Sequence, residues 1–92
     1  GYRCHGASLA MGMPPRDAMA EMFGKATGCS KGKGGSMHLF DPKVGNLGGH
    51  GIFGGQLPLG LGTAFAQGYK KTGGVSFCFM GDGECNQGTF NE

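Results

Sequence analysis

A chain of 92 residues suffices for one small domain but leaves little room for a sizeable core. Its formal charge of +2, with lysines gathered only at 25–33 and 70–71, argues against a nucleic-acid partner. No apolar stretch approaches the roughly 20 residues that cross a bilayer, and no charged segment leads into an apolar one at the start, so neither a membrane span nor a secretion leader is expected.

Glycine fills 22 positions without a collagen-like period or a Ser/Gln-rich linker beside it. Backbone that turns sharply or lies against a ligand accounts for such usage, with disorder as the alternative. Cys4, Cys29, Cys78 and Cys85 form no CxxC pair, so reduced thiols of an intracellular protein are expected rather than a zinc site or a disulfide framework. The chain opens at Gly1 without methionine and stops at Glu92 inside what reads as a helix, so both ends are expected to be truncations.

In chain order, Pro15 to Phe23 places Ala18, Met19, Met22 and Phe23 on one helical face behind a proline suited to a first turn. From Gly24 to Gly55 no period of a strand or helix is sustained, which predicts a long loop, either functional or disordered. A second helix is predicted from Pro58 to about Lys71, with Leu61, Ala64, Phe65 and Gly68 as a packing stripe and Gly73-Gly74 as its stop. Val75 to Met80 reads as an inner strand of a parallel sheet, followed by Gly81-Asp82-Gly83 and a further helix from about Asn86. The pattern predicts an α/β fragment, residues 1–92, in which a parallel sheet is flanked by helices and ligands bind beyond the strand ends.

Asp82, between two glycines, suits a magnesium ion shared with a phosphate, because magnesium takes hard oxygen ligands; a helix cap or turn closure is the plainer alternative. Arg3 has a guanidinium able to grip phosphate oxygens in a bidentate way, or is a surface cation near a terminus. Gly49-His50-Gly51-Ile52-Phe53-Gly54 fits the G-x-G-x-x-G pattern, but no strand precedes it and position 71 is a lysine where an acid would hold a ribose. The Lys31 to Ser36 stretch fails the P-loop spacing, which disfavours nucleotide hydrolysis.

Four strings, in order, resemble the alpha subunits of thiamine diphosphate-dependent 2-oxo acid dehydrogenases. They are Tyr2-Arg3-Cys4-His5-Gly6, Lys31-Gly32-Lys33-Gly34-Gly35-Ser36-Met37-His38, Gly51 to Gly60, and Gly81 to Gly88 followed by Glu92. The resemblance implies a partial thiamine diphosphate-binding fold. It assigns Asp82 to magnesium, Tyr2 and Arg3 to the diphosphate, the backbones of Gly83 and Glu84 to the same group, and Gly51 and Phe53 to the aminopyrimidine ring. It leaves His5 a candidate catalytic residue. Glu84 replaces an alanine common in the family and Phe53 a valine, and the family's second metal ligand lies farther along than Glu92.

The Lys31 to His38 string is similar to the pyruvate and acetoin branch. The resemblance therefore implies oxidative decarboxylation of a 2-oxo acid, most simply pyruvate, with thiamine diphosphate as electron sink and acyl transfer to a lipoyl group. It also implies a heterotetramer in which the beta subunit supplies the activating glutamate, a lipoyl domain of an acyltransferase component as acceptor, and a bacterial cytoplasmic or mitochondrial matrix location. A non-enzymatic, phosphate-binding glycine-rich module is the alternative from another functional class.

Overall fold

The computed structural model describes residues 3–92, arranged as two compact units, Gly1–Gly51 and Ile52–Glu92. Tyr2 lies outside the described residues.

In the first unit, α1 spans His5–Ala10 and α2 spans Pro15–Met22. The α2 helix forms as its sequence predicts: Pro15 supplies the first-turn φ without sacrificing a bonded amide, and Asp17 lies in the positive first turn. Its buried face differs from the predicted apolar one. Ala18 and Glu21 are buried, while Met19 and Phe23 are exposed. The core they join is small, Met13, Ala18 and Leu39 with Cys29 packed against it. A core of this size leaves polar contacts to organise much of the unit.

One polar network is built on Ser8 and Asn46, both buried. Ser8 Oγ donates to the Cys4 carbonyl at 2.8 Å, and Asn46 Nδ2 donates to Ser8 Oγ at 2.9 Å and to the Leu39 carbonyl at 3.3 Å. Asn46 Oδ1 accepts from the Gly48 amide at 3.2 Å. The network ties the first helix to the far end of the loop, 38 residues on. The long loop predicted from Gly24 is therefore ordered, carrying one 3-10 turn at Pro42–Val44 and a single antiparallel bridge between Asp41 and Asn46.

In the second unit, α3 spans Gln56–Lys70, two residues earlier than Pro58 suggested. Lys71 caps it in the left-handed region at φ 52°, and Gly73, at φ 74°, follows as the stop. Leu61 and Phe65 of the expected packing stripe are each 72% exposed.

Two expectations are corrected here. Residues 75–80 form no strand, and among the described residues the only β pairing is the isolated Asp41–Asn46 bridge, so the parallel sheet of the α/β prediction is not seen. A strand requires a backbone ladder with a neighbour. The 75–80 segment is instead anchored to α3 by side chains: Thr63 Oγ1 meets Ser76 Oγ at 3.0 Å, and Cys78 Sγ donates to the Gln56 carbonyl at 3.5 Å. The helix expected from Asn86 is replaced by two 3-10 turns, Asp82–Asn86 and Gly88–Phe90. No helix among the described residues is long and apolar enough to cross a membrane.

Candidate functional site

The second unit brings together two stretches nearly thirty positions apart in the chain. Phe53 lines one cavity of about 470 Å³ together with Gly81, Asp82, Gly83, Glu84, Asn86 and Gln87. Four sequence-predicted residues, Phe53, Asp82, Gly83 and Glu84, thus share its wall.

Asp82 opens the 3-10 turn, and its Oδ1 accepts from the Gly83 amide at 2.9 Å. The rest of its exposed carboxylate faces outward, the donor chemistry of a hard-cation site completed by phosphate oxygens and water. An added Cβ at Gly81 or Gly83 would meet nothing within 4 Å, so both flanks leave open space for a ligand. The Gly83 amide is held by Asp82, and the Glu84 amide donates to the Gly81 carbonyl at 3.1 Å. The Gly83 contact is local, and a rotation of the Asp82 side chain toward a cation frees that amide. For a metal–diphosphate group this wall offers one carboxylate; the Gly83 and Glu84 amides are both engaged within the turn, and no cluster of three or more His, Cys, Asp or Glu able to hold a metal is found among the described residues.

Glu84 brings a negative charge to the cavity wall, but its carboxylate is not without a donor. Its Oε2 accepts from Gln56 Nε2 at 2.5 Å, and the same Nε2 donates to the Phe79 carbonyl at 3.1 Å. Gln56 is buried at the first turn of α3 and so holds both ends of the 79–84 segment. Sequence reasoning quoted Gln56 within its string but gave it no role. A polar residue at the start of an otherwise apolar, small-residue helix was the available signal.

In the first unit, Arg3 is exposed and adopts φ 49°, a left-handed conformation that costs a residue with a Cβ about 1–2 kcal/mol. His5 begins α1, and its Nε2 lies 2.6 Å from the Ser36 carbonyl. A carbonyl only accepts, so Nε2 carries the proton and His5 ties α1 to the 31–38 string. Gly51 lies beside His38, whose Cε1 would sit 3.6 Å from a Cβ added there.

The buried carboxylate of Glu21 was missed by the sequence reading, which placed an apolar face on its helix. It accepts four backbone amides, from Ser30 and Gly32 at 2.8 Å each, Gly34 at 2.6 Å and Gly35 at 3.2 Å. Burial by itself raises the carboxyl pKa, but the four amides outweigh it and hold Glu21 below the ordinary glutamate value. Its signal was an acid one turn from Ala18, facing a glycine-rich loop. His50 packs edge-on against Phe40 at 5.8 Å, and burial, with the neighbouring His38 acting in the same direction, lowers its pKa.

Comparison with known proteins accords with these strings. Residues 1–92 match the family described as Dehydrogenase E1 component. The chain is 53% identical over 91 residues to the pyruvate dehydrogenase E1 component subunit alpha of Rickettsia bellii, an overlap of 99% of this chain and 28% of that protein. To the subunit of the same name from Zymomonas mobilis it is 52% identical over 92 residues, covering 100% of this chain and 26% of the relative. To the alpha subunit of acetoin:2,6-dichlorophenolindophenol oxidoreductase from Bacillus subtilis it is 54% identical over 91 residues, 99% of this chain and 27% of the relative. The chain thus spans about a quarter of the length of the curated relatives it matches. With the match running from end to end, the chain belongs to the Dehydrogenase E1 component family.

Proposed function

We propose that this chain is part of the alpha subunit of a thiamine diphosphate-dependent pyruvate dehydrogenase component, which decarboxylates pyruvate oxidatively and passes the acyl group to a lipoyl arm. The observation that carries this reading is the cavity in which Phe53 and the Gly81–Glu84 turn, two of the recognised strings, share one wall around an outward-facing Asp82 carboxylate. A thiamine diphosphate-binding fold is part of the same proposal for the whole subunit, although the described residues of this chain form no strand.

The chemistry supplied by thiamine diphosphate when bound is a thiazolium carbanion that acts as nucleophile and electron sink for loss of carbon dioxide. The residues of this chain hold and orient. Asp82 would hold magnesium and so help offset diphosphate charge, and the Gly83 backbone would face the same group. Arg3, with Tyr2 beside it in sequence, grips the diphosphate oxygens. By the resemblance, Gly51 and Phe53 would each offer backbone groups to the aminopyrimidine, a kind of contact that tolerates the phenylalanine in place of valine. His5 acts through Ser36 as an organiser of the loop rather than as an acid or base. The activating glutamate comes from a beta subunit, a lipoyl domain of an acyltransferase component is the acyl acceptor, and a bacterial cytoplasmic setting accords with the relatives.

An acetoin dehydrogenase alpha subunit is the second reading, favoured by the 54% identity to the Bacillus subtilis relative. The experiment is calorimetric titration of thiamine diphosphate into the full-length alpha subunit assembled with its beta subunit, with and without magnesium, followed by turnover of pyruvate and of acetoin. Magnesium-dependent binding that is lost in Asp82→Ala, with pyruvate turned over, is expected. Undiminished binding in Asp82→Ala refutes the metal assignment, and turnover of acetoin alone selects the second reading.

A further inference from the structure

The four amides that converge on Glu21 belong to a loop that goes on to contact another part of the unit. Ser30 Oγ donates to the His38 carbonyl at 2.8 Å, and the His38 amide donates to the Gly34 carbonyl at 3.2 Å. The contact at Gly34 is so close that an added Cβ would collide with the His38 carbonyl oxygen, so glycine is required there by space. His38 is thus held from both sides of its backbone by the loop that Glu21 gathers.

From there the imidazole reaches outward. His38 Nδ1 lies 2.9 Å from the Gly49 carbonyl, which makes Nδ1 the protonated donor. The same ring lies against Gly51. The loop is glycine-rich and by itself costly to order, and four charge-assisted bonds to one fixed carboxylate offset that cost. Both carboxylate oxygens are used twice, which a neutral amide cannot reproduce because one end of it would present N–H groups to N–H donors.

We infer that Glu21 is a positioning residue: through the 30–35 loop and His38 it sets the placement of the Gly49–Gly51 segment. The inference deepens the proposed function and rests on it where Gly51 meets the cofactor. Glu21 touches no reacting atom; its contacts are to the 30–35 loop, which meets His38 through Ser30 and Gly34.

The test uses the full-length alpha subunit assembled with its partner, comparing wild type, Glu21→Gln, His38→Phe and the double variant. Hydrogen exchange by mass spectrometry is read across 30–35 and 45–51, and the affinity for magnesium thiamine diphosphate is measured in parallel. In Glu21→Gln, exchange is expected to quicken in both segments by at least about tenfold, because two of the four amides lose their acceptor. In His38→Phe only 45–51 should respond, and the double variant should bind the cofactor no more weakly than the weaker single variant, because both act on one path. Quickened exchange confined to 30–35 in Glu21→Gln, or affinity losses that add, overturns the inference. If wild type does not bind the cofactor, the functional reading fails, and the exchange pattern alone decides the role of Glu21. Should Glu21→Gln fail to assemble, Ser30→Ala removes the hydroxyl bond to the His38 carbonyl and, besides it, a long contact with Cys29 Sγ at 3.9 Å: faster exchange across 45–51 supports the relay, and wild-type rates there overturn it.

Discussion

Replacing Gln56 tests how the Asp82 turn is held. Its side-chain amide spans from α3 to both the Phe79 carbonyl and the Glu84 carboxylate, at 3.1 and 2.5 Å. A neutral hydrogen bond contributes about 1 kcal/mol and one to a charged group about 1.5–3 kcal/mol. Both bonds are part-buried, so water replaces some of what the Phe79 carbonyl and the Glu84 carboxylate lose. With that discount, Gln56→Leu should release the 79–84 segment by roughly 1–2 kcal/mol, about a tenfold shift in its population. Gln56→Glu is harsher, because it sets a second carboxylate against Glu84 at neutral pH, and the two should share a proton on acidification. The assay is magnesium-dependent thiamine diphosphate affinity in the assembled full-length protein, measured at pH 7 and pH 5.5. A loss of about tenfold in Gln56→Leu is expected, with a larger loss in Gln56→Glu that partly recovers at the lower pH. Wild-type affinity in Gln56→Glu at pH 7 would refute the assignment of Gln56 as the anchor of this turn.

Other expectations follow from the first unit. Gly34→Ala drives a methyl group into the His38 carbonyl and should cost roughly 3 kcal/mol, read by chemical denaturation of the full-length subunit. Asn46→Ala leaves Ser8 and the Leu39 carbonyl without their donor and should cost about 1–3 kcal/mol; a change under about 0.5 kcal/mol counts against the network. Acidification should weaken this unit in two stages. The lowered His50 pKa means its contribution is present above the unfolded value of about 6.5 and is lost as pH falls toward the folded one. Glu21, also lowered, contributes above about 4.3 and loses that contribution as pH falls through its folded value. Hydrogen exchange across 30–35 as a function of pH should register the second stage in wild type and not in Glu21→Gln.

What the amino-acid sequence determined by itself was local or chemical. A proline at a first turn and a run of small and apolar residues were enough to locate α2 and α3, because helix initiation and periodicity act within a few residues. The ordered strings carried the family by resemblance, since agreement at all four in the correct order is not easily reached by chance. Tertiary structure decided which face of α2 is buried, because Glu21 finds four amides in a loop up to 14 residues away and Met19 finds no core to enter. It decided the state of residues 75–80 as well: apolar content favours a strand, but a strand exists only through hydrogen bonds to a neighbour, and here the anchors are side chains of α3. The joint wall of Phe53 and Asp82, and the amide of Gln56 behind it, depend on distances across the unit that no local pattern encodes.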